Sequence, residues 1–190
     1  MNPLKIYLNK KLFPGTYIGL DLASKTGWAI LRVGDSVDLI DYGSISLPSK
    51  METLDKLDYT TNILKDILSK YIKGVVNVYI TIENCYLGKW FSRGKHKWNP
   101  LTFKFLAWLE GYTMCMIKYT YTNPSPKIII LYPSQSRKLV GVKGTASKKE
   151  IVNIVNTKLL KKNLFKQIHN NICDAIILAL AGGVYEKESK

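Results

Sequence analysis

The sequence predicts an α/β fold on a mixed five-stranded sheet, three antiparallel strands followed by two parallel ones, with helices on both faces. Two observations predict it. The first third of the chain holds short β-branched runs separated by tight-turn signals, the pattern of hairpins. Later, strand-like runs alternate with stretches of helical apolar spacing, the pattern of βα units. With 46% apolar residues in 190, the chain can bury a substantial core.

The elements follow in order. Residues 1–15 read as an N-terminal extension closed by Pro14-Gly15, and 16–190 as one domain. Residues 16–22 form a strand, 23–27 a tight turn, and 28–33 its hairpin partner. Gly34-Asp35 turns the chain into a third strand, 37–47, and Pro48-Ser49 breaks it. Leu54, Leu57, Ile63, Leu64, Ile67, Leu68 and Tyr71 recur at helical spacing, so 52–72 is a helix ended by Gly74. A strand over 75–83 leads into a basic, aromatic loop over 85–99. Pro100 opens a helix over 101–121, because its missing N–H costs nothing in a first turn. Pro124 and Pro126 break the chain before a strand at 127–132 and a short helix from Pro133 to about residue 140. After a glycine loop at 141–144, Ser147 and Glu150 have capping-box spacing for a helix towards 160, and a last helix spans 171–185.

Lys plus Arg outnumber Asp plus Glu by 28 to 14, a formal net charge of +14. Such an excess favours a polyanionic partner, since cations that neutralise phosphates release counterions. Cys85, Cys115 and Cys173 match no zinc or redox spacing, and the chain adds only His96 and His169. Zinc, an organic cofactor and a membrane are not expected. No apolar run reaches transmembrane length and no secretory signal opens the chain, so a cytoplasmic protein is expected.

Against that basic background three acidic residues stand out. Asp21 ends the apolar run TYIGLD and Glu83 ends VYITIE. Asp174 stands at the start of the last helix. A charge where a strand would continue apolar is costly unless paired or metal-bound. If the two strands are parallel neighbours, both carboxylates emerge at one end of the sheet, and Asp174 joins them from the helix. Three such oxygens suit a divalent cation. Each residue also has a purely structural reading, as a turn cap for Asp21 or a partner of the helix dipole for Asp174.

These residues carry a resemblance. IGLDLASKTGW (residues 18–28) resembles the opening GIDPGSxxTGxG of RuvC-type Holliday junction resolvases. IEN (82–84) resembles their second acidic motif, VGVKGTASK (140–148) their VVGxGxAxK segment, and NICDAIILAL (171–180) their final DxxDAxAxAL or HxxDAxAxAL element. The four are collinear from about residue 17 to 183. The resemblance implies an RNase H-like fold and a homodimer acting on branched DNA, with two Mg²⁺ or Mn²⁺ ions per site. It places Asp21, Glu83 and Asp174 as metal ligands, and Lys148 on the family's basic residue near the scissile strand. Asn171 falls where the family has Asp or His. Its amide oxygen can ligate a cation, but without charge. The excess of Lys, Ile, Asn and Tyr fits an AT-rich genome, and the compact chain suits a phage or a small bacterial genome.

The loop KWFSRGKHKW (89–98) interleaves cations with rings. Lys89, Arg93, Lys95 and Lys97 suit phosphates, and Trp90 and Phe91 suit unpaired bases. Arg137 and Lys143 are further candidates for backbone contact. The helix over 101–121 carries more apolar surface than one core face needs, so part of it is expected to meet a second copy. The expected activity is metal-dependent incision of four-way junctions in a bacterial or phage-infected cell, at the nucleoid. The alternatives are a nuclease for other branched DNA or structured RNA, and a non-catalytic binder of branched DNA.

Overall fold

A computed structural model describes residues 4–6, 10–85, 100–160 and 170–189. Its elements are β1 (Leu4–Ile6), β2 (Gly15–Asp21), β3 (Lys25–Val33), β4 (Val37–Ser46), α1 (Thr53–Ile72), β5 (Val78–Glu83), α2 (Pro100–Thr120), β6 (Lys127–Leu131), α3 (Pro133–Leu139), α4 (Lys148–Ile154) and α5 (Asn170–Glu188). A π-helical turn, Val155–Leu159, extends α4.

The sheet runs β1-β4-β3-β2-β5-β6. β2, β3 and β4 are antiparallel neighbours, and β5 and β6 join parallel to β2. This is the expected mixed sheet, with one addition. Three residues of the N-terminal segment pair antiparallel with Val37 to Leu39 and form a sixth strand at the edge. They are too few to show alternation, so their role comes from the exposed edge of β4. Leu12, also in that segment, is buried.

β3 begins three residues earlier than its apolar content suggests, because Lys25 and Thr26 pair with Ser46 and Ile45. The turn before it is closed by Thr26, whose hydroxyl donates to the Ala23 carbonyl at 2.9 Å and accepts the Ala23 N–H at 3.3 Å. β5 starts at Val78, and the half-buried Val75 packs beside it. The Ser147–Glu150 capping box forms in both directions, at 3.3 and 2.6 Å.

Strict alternation on the central strands divides the interior in two. Ile18, Leu20, Ile80 and Ile82 pack under α1 and α2. Tyr17, Tyr79, Leu31 and Ile129 pack under α4 and α5. Burial on both faces explains why β2 and β5 read as nearly unbroken apolar runs.

α5 lies directly on the sheet. A Cβ on Gly19 of β2 would stand 1.9 Å from the Ala175 carbonyl oxygen, and one on Gly27 of β3 would stand 2.1 Å from that of Asn171. On the helix side, a Cβ on Gly182 would stand 1.9 Å from Thr81 Oγ1. Side chains at these points would hold the layers apart. Both ends of α5 are also tied. The Asn171 amide donates to the Lys25 carbonyl, and buried Glu186 pairs with Lys127 at the start of β6.

The contact at Gly19 yields a prediction. Gly19→Ala is expected to lower unfolding stability by about 2–3 kcal/mol, as overpacking does. Gly34→Ala, where a Cβ meets nothing within 4 Å, should stay within about 0.5 kcal/mol of the parent. Urea midpoints at constant slope measure both.

Candidate active site

Asp21 is the last residue of β2 and Glu83 the last of β5. The strands are parallel neighbours with Leu20 opposite Ile82, so the two acids follow at matched positions. Both share the face of Gly19 and Thr81, the face α5 covers. Asp174 lies in the first turns of α5, between Asn171 on Gly27 and Ala175 on Gly19. The sheet end, the strand register and the helix seat thus bring together the three acids singled out from the sequence.

The electrostatics of Asp21 follow from this placement. Burial raises the Asp21 pKa well above its ordinary value, and the charges of Glu83 and Asp174 push the same way. Lys148 and Arg137 pull it back. Asp21 thus lies within electrostatic reach of four side chains, from β5, α3, α4 and α5. Lys148 is exposed at the first position of α4, with the capping box fixing the helix start beneath it. Lys143 is exposed in the preceding loop.

Arg137 corrects an expectation. It is 9% exposed and does not offer its guanidinium to a DNA backbone. Nη1 donates to the carbonyls of Ala146 at 3.1 Å and Gly144 at 3.5 Å, and Nη2 pairs with Asp174 Oδ1 at 3.4 Å. It ties the glycine loop before Lys148 to α5. A basic residue on a short helix carries no local sign of turning inward; only the packing of α3 against α5 makes it do so.

Asn171 spends its amide nitrogen on the Lys25 carbonyl, leaving its oxygen as the one atom a cation could use. Among the described residues, no three His, Cys, Asp or Glu side chains converge closely enough to hold a metal ion, and Asp174 is turned to Arg137. The donor chemistry nevertheless fits Mg²⁺ or Mn²⁺: the three acids offer only oxygen, and half-buried Asp21 carries like charge beside it that a divalent cation would relieve. Lys89, Trp90, Phe91, Arg93, Lys95 and Lys97 lie outside the described residues, as does His169.

One residue escaped the sequence reading. The backbone N–H of Cys85, two residues beyond Glu83, donates to Glu110 of α2 at 2.8 Å. Its signal was present: Glu110 is the one acid in α2, with Leu106, Ala107, Thr113 and Met114 at neighbouring helical positions. It has no local ion pair to explain it.

The Asp21 environment predicts a pH-dependent stability change in EDTA. A raised folded pKa means that ionised Asp21 opposes folding, from the ordinary value of 3.8 upward. Asp21→Asn should raise the urea midpoint at pH 7. The gain should vanish as pH falls below about 4, where Asp21 is protonated in both states. A gain that persists in acid would contradict this origin.

No protein-family model matches the sequence, and no curated protein matches it. Solved structures do. RuvC from Thermus thermophilus superposes with a TM-score of 0.65 at 14% identity, over 92% of this chain and 96% of that one. RuvC from the same organism in complex with Holliday junction substrate gives 0.67 at 12% identity, with the same coverage. Ydc2, the yeast mitochondrial Holliday junction resolvase, gives 0.62 at 14% identity, over 95% of this chain and 82% of that one. The fold is thus the RNase H-like one that the motifs suggested.

Proposed function

We propose that this chain is a structure-selective endodeoxyribonuclease that resolves four-way DNA junctions. The observation that carries the reading is the gathering of Asp21, Glu83 and Asp174 at the carboxyl ends of two parallel strands, beside Lys148, on a chain of net charge +14. Likeness of fold to junction resolvases adds support, although fold alone does not fix function.

Asp21 and Glu83 would hold divalent ions, two per site, with Asp174 contributing from α5 and the Asn171 oxygen beside it. Bound there, Mg²⁺ or Mn²⁺ supplies an activated water and stabilises the leaving 3′-oxygen. Lys148, free at the rim, pairs with the phosphate of the strand to be cut. Arg137 keeps Asp174 neutralised and holds the loop that presents Lys148. Lys143 and the cations of the 89–97 segment add sequence-independent attraction for the junction arms.

Paired incision calls for two sites, and α2 offers the surface. Leu101, Trp108, Tyr112 and Tyr119 are 76, 42, 47 and 77% exposed. With Phe105 and Cys115 they repeat at alternating steps of four and three, the spacing of a helix–helix seam. A second copy docked on this stripe completes a homodimer. The protein would act where branched DNA is, at the nucleoid of a bacterial or phage-infected cell.

A second reading, a binder of branched DNA without catalysis, is favoured by the Arg137–Asp174 pair, which occupies one of the three acids. One experiment separates the two. With Mg²⁺ or Mn²⁺ the parent should nick a synthetic four-way junction on opposed strands, faster than forks, flaps or structured RNA. Asp21→Asn should lower that rate by about a thousandfold or more, while junction affinity in Ca²⁺ stays within about threefold. Tight binding without turnover by the parent would select the binder.

Binding should also fall linearly in log–log plots of affinity against salt, losing about a thousandfold between 50 and 200 mM if six phosphates are neutralised. Trp108→Glu with Tyr112→Glu should convert dimer to monomer in sedimentation. Dimers that survive both changes would place the interface elsewhere.

A further inference from the structure

We infer that Glu110 positions Glu83, a role that rests on reading Glu83 as a site carboxylate. A strand end frays when the N–H groups beyond it lack partners. Beyond Glu83 two consecutive N–H groups are held. Asn84 N–H donates to the Leu131 carbonyl of β6 at 2.9 Å. Cys85 N–H donates to Glu110 Oε2 of α2 at 2.8 Å. The acceptors belong to different elements, so the chain leaving Glu83 is fixed both from the sheet edge and from the helix layer.

Several features mark the second contact as specific. An N–H bonded to a carboxylate is roughly twice as strong as a neutral pair. Glu110 is half-buried, and no Lys or Arg lies three or four positions from it on α2. The Cys85 side chain completes the clasp, its Sγ directed at the Phe103 carbonyl of α2 at 4.0 Å. A second acid beside Glu83 works against charge balance in the site. Its oxygen is committed to backbone, so it acts on Glu83 through the main chain and is a positioning residue.

The test uses the full chain with Glu110→Ala, Glu110→Gln and Glu110→Asp, melting curves confirming the fold of each. Amide exchange at Glu83 to Cys85 is followed by NMR, single-turnover junction cleavage in Mg²⁺, and junction binding in Ca²⁺. In Glu110→Ala the Cys85 amide should exchange about tenfold faster. Cleavage should drop about tenfold while binding stays within about twofold. Glu110→Gln keeps an acceptor oxygen at the same reach and should restore cleavage to within about threefold of the parent. Glu110→Asp keeps the charge but falls one methylene short, so it should resemble the alanine variant and stands in for it if that variant does not fold.

Cleavage by Glu110→Ala at the parent rate, or a glutamine variant as impaired as alanine, would overturn the role. Should the parent cut no junction at all, the nuclease reading falls by itself. Exchange then decides the positioning: faster exchange through Glu83 to Cys85 in Glu110→Ala supports it, and unchanged exchange refutes it.

Discussion

The architecture depends on how closely α5 approaches the sheet. At Gly19 and Gly27 the helix backbone occupies space that any side chain on β2 or β3 would need, and at Gly182 the sheet's Thr81 does the same to the helix. The approach sets where Asp174 stands relative to Asp21. It also explains the burial of α5 from Ile172 to Val184, broken only at Asp174. The hydrogen bond from Asn171 and the ion pair of Glu186 hold the two ends, so the helix can neither slide nor tilt without losing a polar contact.

The same closeness has an electrostatic cost. Three acids at one sheet end, all of them half-buried, repel one another where water screens less than in bulk. Arg137 and Lys148 relieve part of that repulsion from opposite sides of a glycine loop. Their roles differ because their exposure differs. Arg137 is enclosed and bound to carbonyls, so its charge is structural. Lys148 is open and able to meet an anion arriving from outside. An enclosed arginine also suits the fixed fork of donors better than lysine would, since it reaches Asp174 and two carbonyls at once.

Much of this was legible along the chain. Strand ends at Asp21 and Glu83 follow from where apolar alternation stops. The Ser147–Glu150 cap follows from spacing, and helices on both faces follow from the doubly apolar central strands. Less was legible where partners are distant in sequence. Leu4 to Ile6 carry too short a pattern to announce an edge strand. Lys25 and Thr26 look like turn residues until β4 is set beside them. Arg137 reads as a surface cation, and the isolation of Glu110 in α2 points to a distant partner without naming it, because neither has a neighbour in its own helix that reveals its target.

By itself, the sequence determined the order and type of the elements, the mixed sheet, the cation excess and the three acids at their ends. These depend on periodicity and local chemistry, which are properties of short windows. Only the tertiary structure decided which acid meets which base: that Asp174 turns to Arg137, that Asn171 spends its nitrogen on β3, and that Glu110 reaches the chain beyond Glu83. Such pairings depend on the seating of one element against another. That seating is set by glycine contacts whose meaning appears only when both surfaces are present.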